Sequence, residues 1–375
     1  MRRAANLTAL IADTDNLLLA FHKAFKGHRL SGEALRFQSR LEENIAALSG
    51  QLATGKVEVG HYEYFHIEDP KLRLICAAAF RERVMHHAIM NVCHPWFERN
   101  LIDTTYATRP GKGLYKALER AQHAMRSCCW VAKCDFRKYF DSIPHDRLNA
   151  SLARLFKDRT LLRIFSSIIA SYRQAEGKGI PIGNLTSQYF ANLYLSPMDH
   201  WVKEVLGVPE YIRYMDDFLV FARTRQELDT HVARISEYAD SRLRLTLKPV
   251  VVSRVDEGVD FLGYRLFPHK IRLTQRSKRR FVRKSREYGR RLREGEWNEH
   301  EYYEHMTPLL AYASKGYTKG LRRTVFDGMD EKLFPRAARR ELEQQRAELP
   351  RCEPEQQQPR QPQQQQRLPR GVPLA

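Results

Sequence analysis

Cysteine is scarce in this chain and badly spaced for a structural role. Among 375 residues there are six, Cys76, Cys93, Cys128, Cys129, Cys134 and Cys352, and none forms a C-x-x-C pair. That spacing excludes the common zinc patterns and a disulfide framework, and a reducing cytoplasmic setting is the expectation. Long hydrophobic runs are lacking too. No stretch approaches the ~18–20 apolar residues of a membrane-crossing helix, so no membrane association is expected. The N-terminal MRRAANLTALIADTDNLLLAF carries two arginines, but Asp13 and Asp15 break its apolar run. A secretory leader is not expected from it. No internal repeat is evident. Negative charge is in deficit: 63 Lys and Arg stand against 44 Asp and Glu, a net charge of +19. An excess of that size favours an anionic partner, nucleic acid first among them.

What is present reads as a mixed α/β (α+β) chain long enough for two or three subdomains. Residues 7–25 and 33–53 have the apolar spacing of amphipathic helices, an N-terminal helical extension over 1–54. VGHYEYFHIEDPKLRLICAAA predicts a hairpin turning at Asp69–Pro70. FRERVMHHAIMNVCHPWFERNL has helical spacing that Pro95 should interrupt. WVAKCDFRKYFDSI opens with a strand, and a Gly-rich loop in GKGIPIGNLTSQYFANLYLSPMDHWVKEVL leads into a long helix. YIRYMDDFLVFA reads as strand–turn–strand, and VDFLGYRLFP as a short strand pair. From residue 271 to 345 the composition turns basic and helical, with TQRSKRRFVRKSREYGRRLREGE at its centre. Residues 346–375, rich in Gln, Pro and Arg, cannot bury a core and are expected to be disordered.

Two adjacent aspartates, Asp216 and Asp217, interrupt the apolar run around YMDD. Burying carboxylates is costly unless something positive neutralises them. Arg213 could do so as a structural ion pair. The functional alternative is a divalent cation: a turn at Met215–Asp216 would lift both carboxylates to a sheet edge, where a hard cation takes oxygen ligands. A third acid is needed for two ions. Asp135, at the end of the Trp130–Cys134 strand, is the candidate, with Asp141 and Asp146 as rivals. Two ions about 4 Å apart stabilise the attacking and leaving oxygens in phosphoryl transfer, chemistry shared by polymerases and nucleases.

The order of the motifs narrows that choice. YMDD between apolar flanks resembles the catalytic box of reverse transcriptases. DFRKYFDSIPH resembles their first palm motif and IPIGNLTSQYFANLYL their second. PKLRLI, RERVMHHAI and YATRPGKG resemble the fingers of bacterial enzymes of the group II intron type, and FLGYRL their primer-grip hairpin. The resemblance covers roughly residues 55–270 in the expected order, and six ordered motifs are far more specific than one. In the second palm motif most family members have Gln-Gly and then Ser-Pro, whereas this chain has Ile182-Gly183 and Ser187-Gln188. That form resembles the reverse transcriptases of diversity-generating retroelements, which copy a template-repeat RNA with errors at adenines into cDNA that replaces part of a variable gene.

The resemblance implies a right-hand polymerase with fingers and palm over 55–270 and a helical basic thumb over 271–345. It implies Asp135, Asp216 and Asp217 as the catalytic, metal-binding acids for two Mg²⁺ ions, or Mn²⁺ in their place. Lys71 and Arg73 on the fingers hairpin would clamp the triphosphate, since cations there offset the transferred charge. Phe140, five residues after Asp135, would lie under the sugar and reject a 2′-OH. Ile182, Gly183 and Gln188 would line the nascent pair, Gly183 because it lets backbone approach closely. Lys248 would protonate the leaving pyrophosphate. Phe261, Leu262, Gly263 and Tyr264 would form the primer grip. Arg279, Arg280, Arg283 and Lys284 on the thumb would hold phosphates independently of sequence. The expected partners are template RNA, the cDNA or primer strand, dNTPs and, by resemblance only, a small basic accessory protein. Solvated-face or core roles remain the alternative for the basic and aromatic residues. At the level of the whole chain two alternatives stay open: another bacterial reverse transcriptase, intron-like or phage-defence, and a catalytically idle RNA-binding protein of the same fold. His86–His87 do not form a metal pair, because adjacent helical residues do not share a face.

Overall fold

The computed structural model describes residues 3–68, 72–172 and 175–327. The chain begins with four helices, α1 (Thr8–Ala12), α2 (Thr14–Lys26), α3 (Gly32–Ser39) and α4 (Leu41–Thr54). The two long helices expected here are each broken. Asp13 leaves helical geometry to cap α2, accepting from the Asp15 and Asn16 amides, and Arg40 breaks the second at φ −128°. A short polar side chain satisfies orphan amides better at a cap than within a helix. Next come β1 (Tyr62–Glu68) and β2 (Leu72–Ala78), an antiparallel hairpin with Tyr62 opposite Ala78. Helix α5 (Phe80–Arg99) runs through Pro95 instead of stopping there. It packs on α2, and that packing outweighs the one hydrogen bond a helical proline removes.

The central part holds α6 (Leu114–Ser127), β3 (Trp130–Asp135), α7 (Tyr139–Ser142), α8 (His145–Leu155), α9 (Arg159–Ala170) and α10 (Leu185–His200), the last continued by a π-helical turn at Trp201–Val205. Then follow β4 (Glu210–Tyr214), β5 (Asp217–Ala222), α11 (Arg225–Leu243) and β6 (Val251–Arg254). The four strands form one antiparallel sheet in the order β4-β5-β3-β6. Both faces of this sheet are covered. Ala132, Cys134, Phe218 and Val220 belong to a core shared with the N-terminal helices, α5 and α8–α11. Val131, Ile212, Leu219 and Phe221 alternate with them and belong to a second core beneath α6 and the C-terminal elements. Double burial explains why β5 reads as an unbroken apolar run and not as an alternating one.

The C-terminal part contains β7 (Val259–Phe261), β8 (Tyr264–Phe267) and β9 (Lys270–Leu273) in a three-stranded sheet, then α12 (Gln275–Arg293), α13 (Glu299–Ser314) and α14 (Lys319–Asp327). Thr274 caps α12 through the Ser277 amide, and Asn298 with Glu301 forms a capping box on α13. The expected tail at 346–375 and the end of the basic region lie outside the described residues. No helix among the described residues is long and apolar enough to cross a membrane.

Candidate active site

Three carboxylates converge at one end of the four-stranded sheet. Asp135 is the last residue of β3 and pairs in register with Asp217, the first residue of β5. Asp216 belongs to the two-residue turn that joins β4 to β5 across the Tyr214–Asp217 pair. Strand pairing thus fixes Asp135 beside Asp217, and the turn adds Asp216 next to them. Asp217 Oδ1 and Asp135 Oδ1 are both buried without a hydrogen-bond partner. Their second oxygens face lysines. Lys133 Nζ lies 3.5 Å from Asp217 Oδ2, and Lys248 Nζ touches Asp135 Oδ2. Burial pushes the Asp217 carboxyl up to about 7; Lys133 opposes that rise, while the Asp135 and Asp216 charges add to it. Like charges crowded in a half-dry site raise the carboxyl in just this way.

Arg213, the residue best placed in sequence to neutralise Asp216 and Asp217 as a structural pair, is spent elsewhere. It is fully buried and holds Asp199 in a bidentate pair, Nε to Oδ1 at 2.7 Å and Nη2 to Oδ2 at 2.5 Å. Its Nη1 also donates to the Met215 carbonyl at 2.8 Å. Met215 has φ 58°, in the left-handed region that favours glycine. A positive φ at the first central residue of a two-residue hairpin suits the twist of the strands but strains a non-glycine residue. Arg213 therefore buttresses a strained turn that carries an acid, and its own charge is matched by Asp199.

The β1–β2 hairpin meets the loop before α10 at Ile182 and Gly183. The Cys76 amide donates to the Ile182 carbonyl at 2.9 Å. Gly183 has φ 125°, and a Cβ there would come within 3.1 Å of the Cys76 carbonyl oxygen and 3.2 Å of Ile75 Cγ2. Both conformation and space demand glycine. Phe140 is half-buried, edge-on to Tyr139, and its carbonyl accepts from the Ile180 amide at 2.9 Å. Gln188, on α10, accepts from the Thr108 hydroxyl at 3.1 Å and so ties the second palm motif to the loop of YATRPGKG. Arg73 pairs with Ile67 across the hairpin; Lys71 lies outside the described residues. Of the rival acids, Asp141 meets Tyr172 Oη at 3.4 Å and Asp146 pairs with Arg244 at 3.7 Å, so neither joins the triad.

The residues expected to form the primer grip divide. Phe261 and Tyr264 are fully buried, their rings turned into the second core beneath the C-terminal helices. The turn between them, Leu262–Gly263, has positive φ at both residues. It is fastened by Ser277 Oγ donating to the Gly263 carbonyl at 2.7 Å and by Tyr264 Oη donating to the Tyr312 carbonyl at 2.7 Å. On α12, Arg279, Arg280 and Arg283 are exposed and Lys284 is half-buried, while Phe281 and Ser285 point into the core. The basic face and the apolar seam of one helix are thus separated. Lys133 is the functional residue that sequence reasoning passes over. Its signal is strand alternation, since it precedes Asp135 by two residues and shares its face.

The family model described as "Reverse transcriptase (RNA-dependent DNA polymerase)" matches residues 67–266. The chain belongs to that family; its fold is a right-hand polymerase and its enzyme class is RNA-directed DNA polymerase. Among curated relatives, Protein YkfC of Escherichia coli is 23% identical over 63% of this chain and 74% of its own length. The group II intron-encoded protein LtrA of Lactococcus lactis is 23% identical over 52% of this chain and 35% of its own. The "Putative COX1/OXI3 intron 1 protein" of Saccharomyces cerevisiae is 21% identical over 54% of this chain and 26% of its own length. The chain thus spans about a quarter to a third of the length of these intron proteins. A solved telomerase from Candida albicans, in complex with a telomeric RNA fragment, covers 80% of this chain at 12% identity and a TM-score of 0.44.

The donors present suit a hard divalent cation. Two buried carboxylate oxygens lack partners, and an all-oxygen, anionic donor set is what magnesium selects. Among the described residues no three such side chains are already gathered tightly enough to cage an ion. That is consistent with Lys133 and Lys248 balancing the acids as they stand.

Proposed function

We propose that this protein makes error-prone cDNA from a template-repeat RNA, as the polymerase of a diversity-generating retroelement. The polymerase site rests on one observation: Asp135 and Asp217 face each other in register with an unpartnered oxygen on each. Bound there, divalent cations would supply charge stabilisation for the attacking and leaving oxygens. Asp135, Asp216 and Asp217 would hold them. Lys248 lies on Asp135, where it can return a proton to the pyrophosphate side only after that pairing loosens. Phe140 would bound the sugar, and Ile182 with Gly183 would line the nascent pair. The thumb cations Arg279, Arg280, Arg283 and Lys284 would track phosphates.

The finer reading rests on Ile182-Gly183 and Ser187-Gln188. An isoleucine offers only apolar contact, and apolar fit discriminates by about 1–3 kcal/mol, far less than hydrogen bonds that a mismatch would break. The intron-encoded relatives favour a second reading, an intron-like reverse transcriptase without adenine bias. Purified protein with Mg²⁺, a primed RNA template and dNTPs should extend the primer, and Asp216→Asn should abolish nearly all extension. Sequencing the cDNA separates the two readings. Errors concentrated opposite template adenine support the first, and errors spread evenly over the template bases support the second.

A further inference from the structure

The loop Ile182–Gly183–Asn184 is tied to the β1–β2 hairpin at three consecutive residues. The Ile182 carbonyl accepts from the Cys76 amide of β2 at 2.9 Å. At Gly183, where φ is 125°, a Cβ would come within 3.1 Å of the Cys76 carbonyl oxygen, so the two backbones are in close contact. Asn184 is 3% exposed and stands at the N-cap of α10, a position its side chain favours, yet it makes no cap there. Its Nδ2 donates instead to Tyr62 Oη of β1 at 3.5 Å. The donor directions beyond Tyr62 follow from its partners. Ser171 has one hydroxyl proton and gives it to the Ile168 carbonyl at 2.7 Å. It therefore accepts from Tyr62 Oη at 2.6 Å. Burial pushes the Tyr62 hydroxyl up to about 12, so it keeps the proton that this bond needs. The result is one directional chain, from Asn184 to Tyr62 to Ser171 to the Ile168 carbonyl of α9, and bonds in such a chain strengthen one another. The base of β1 beside it is fixed as well: buried Glu82 accepts from the Gly60 and His61 amides at 3.1 and 2.8 Å.

We propose that Tyr62 is a positioning residue for Ile182 and, through it, a determinant of how strictly the nascent base pair is checked. The proposal rests on the reading that Ile182 lines that pair. An isoleucine discriminates by fit alone, and fit depends on where the backbone holds the side chain. Ile182 has no polar side-chain atom to anchor it, so its place is set by the backbone on either side. On one side that anchor is the Cys76 amide. On the other it is Asn184, and Asn184 is held by Tyr62. Tyr62 and Cys76 lie on different strands, opposite Ala78 and Tyr64 respectively. The loop is thus held from both strands of the hairpin and cannot pivot about a single bond. Ser171 fixes the same hydroxyl to the end of α9. Tyr62 therefore joins β1, α9 and the start of α10 two residues from Ile182. A phenylalanine ring would fill the same space; the oxygen is what makes the join.

Tyr62→Phe keeps the ring and removes the oxygen. The direct readout is hydrogen exchange at the Cys76 amide, whose acceptor is the Ile182 carbonyl, in protein without nucleic acid or Mg²⁺. Losing one net hydrogen bond shifts an opening equilibrium by a factor of about two to ten. Exchange at Cys76 should therefore be about two- to tenfold faster, with the amides of the β3–β5 pair unchanged. Unchanged exchange at Cys76 would overturn the proposal. So would acceleration throughout the protein with a lower melting temperature, because that marks a general loss of stability. Asn184→Ala should give the same acceleration, and the double variant no more than the larger single effect; effects that add in full would overturn the single chain. The functional readout is sequencing of cDNA copied from one defined RNA, with steady-state kinetics for correct and incorrect dNTPs. Tyr62→Phe should raise misincorporation by about two- to tenfold, and KM for the correct dNTP should rise more than kcat falls. In an Ile182→Ala background the same substitution should add nothing, because the side chain it positions is gone. An equal increase in both backgrounds would mean that Tyr62 acts by another route, and the assignment would fall. Wild-type protein that extends no primer, together with faster exchange at Cys76 in Tyr62→Phe, would sink the polymerase reading and leave the placement of Ile182 by Tyr62 standing.

Discussion

Arg213→Met tests how the turn that carries Asp216 is held. Arg213 donates two hydrogen bonds to the Asp199 carboxylate, two to Asn192 and one to the Met215 carbonyl. Its loss leaves Asp199, itself fully buried, with Tyr211 Oη as the remaining donor at 2.8 Å. Breaking a buried pair by removing one partner costs about 3–5 kcal/mol, because the charge that remains is uncompensated. Replacing both partners by apolar residues is often nearly neutral. Arg213→Met should therefore lose about 3–5 kcal/mol in urea unfolding, and Arg213→Met/Asp199→Leu should regain most of it. Activity should not follow. In the double variant the Met215 carbonyl still lacks its donor, and a misplacement of about 1 Å at reacting groups can cost on the order of 10²-fold. Primer extension should stay depressed by about that factor although the fold is restored. A single variant destabilised by less than about 1 kcal/mol would refute the account of a buried, uncompensated carboxylate, which predicts several times that. A double variant with full activity would show that Arg213 stabilises the core without positioning the turn.

Four further outcomes are expected. Because burial lifts the Asp217 carboxyl to about 7, its protonated form is favoured by folding: this contribution is complete below about pH 4 and is lost as pH rises through 7. Without divalent cations, stability should fall by at most about 4 kcal/mol between those values, at about 1.4 kcal/mol per unit; Mg²⁺ at pH 8 should restore it, and a flat profile identical to that of Asp217→Asn would exclude the effect. Gly263→Ala puts a Cβ within 2.1 Å of Tyr312 Oη at φ +86°; strain of this kind costs of order 1–3 kcal/mol, so calorimetry should show a loss in that range, and an unchanged melt would mean that the turn relaxes. Changing Arg279, Arg280, Arg283 and Lys284 together to Ala should lower the log–log salt slope of RNA–DNA binding by about 0.7–0.9 for each phosphate that the thumb no longer holds; an unchanged slope would place the backbone grip elsewhere. Ile182→Gln should lower misincorporation opposite template adenine in cDNA copied from one defined RNA, and equal error rates with polymerisation retained would move the source of infidelity to Gln188 or the fingers.

The strand pair that carries the acids is legible in the sequence because burial on both faces makes β5 nearly all apolar, and against such a run two carboxylates stand out. Asp135 is legible for a related reason: a strand of six residues ends on it, and a strand end is where a side chain can leave the core. The local hydrogen-bonding habits of polar residues are harder to see. Asp13 reads as an interruption of an apolar segment, yet it caps α2. Pro95 reads as a stop, although tertiary packing carries α5 through it. In both places local chemistry and tertiary packing compete, and the sequence pattern alone does not weigh them.

The counter-charges are the least legible part. Arg213 stands closer in sequence to Asp216 and Asp217 than Asp199 does, so proximity along the chain points to the wrong partner. Strand geometry explains the error. Arg213 and Tyr211 are two residues apart on β4 and share a face, and both bond to Asp199 on α10. Asp217 is held on β5 at the mouth of the sheet, where Lys133 from β3 reaches it. A fully buried guanidinium requires a partner on its own face whatever lies next to it in sequence, because an unpaired buried charge costs more than any single contact returns. Once Asp199 meets that requirement, Arg213 is committed to it. Lys133 and Lys248, each about a third exposed, stand against Asp217 and Asp135. Half-exposed ammonium groups are strongly hydrated and can withdraw into water at low cost, whereas a buried bidentate arginine cannot. On the proposed reading, these carboxylates would exchange lysine for a divalent cation without disturbing the pair that holds the turn.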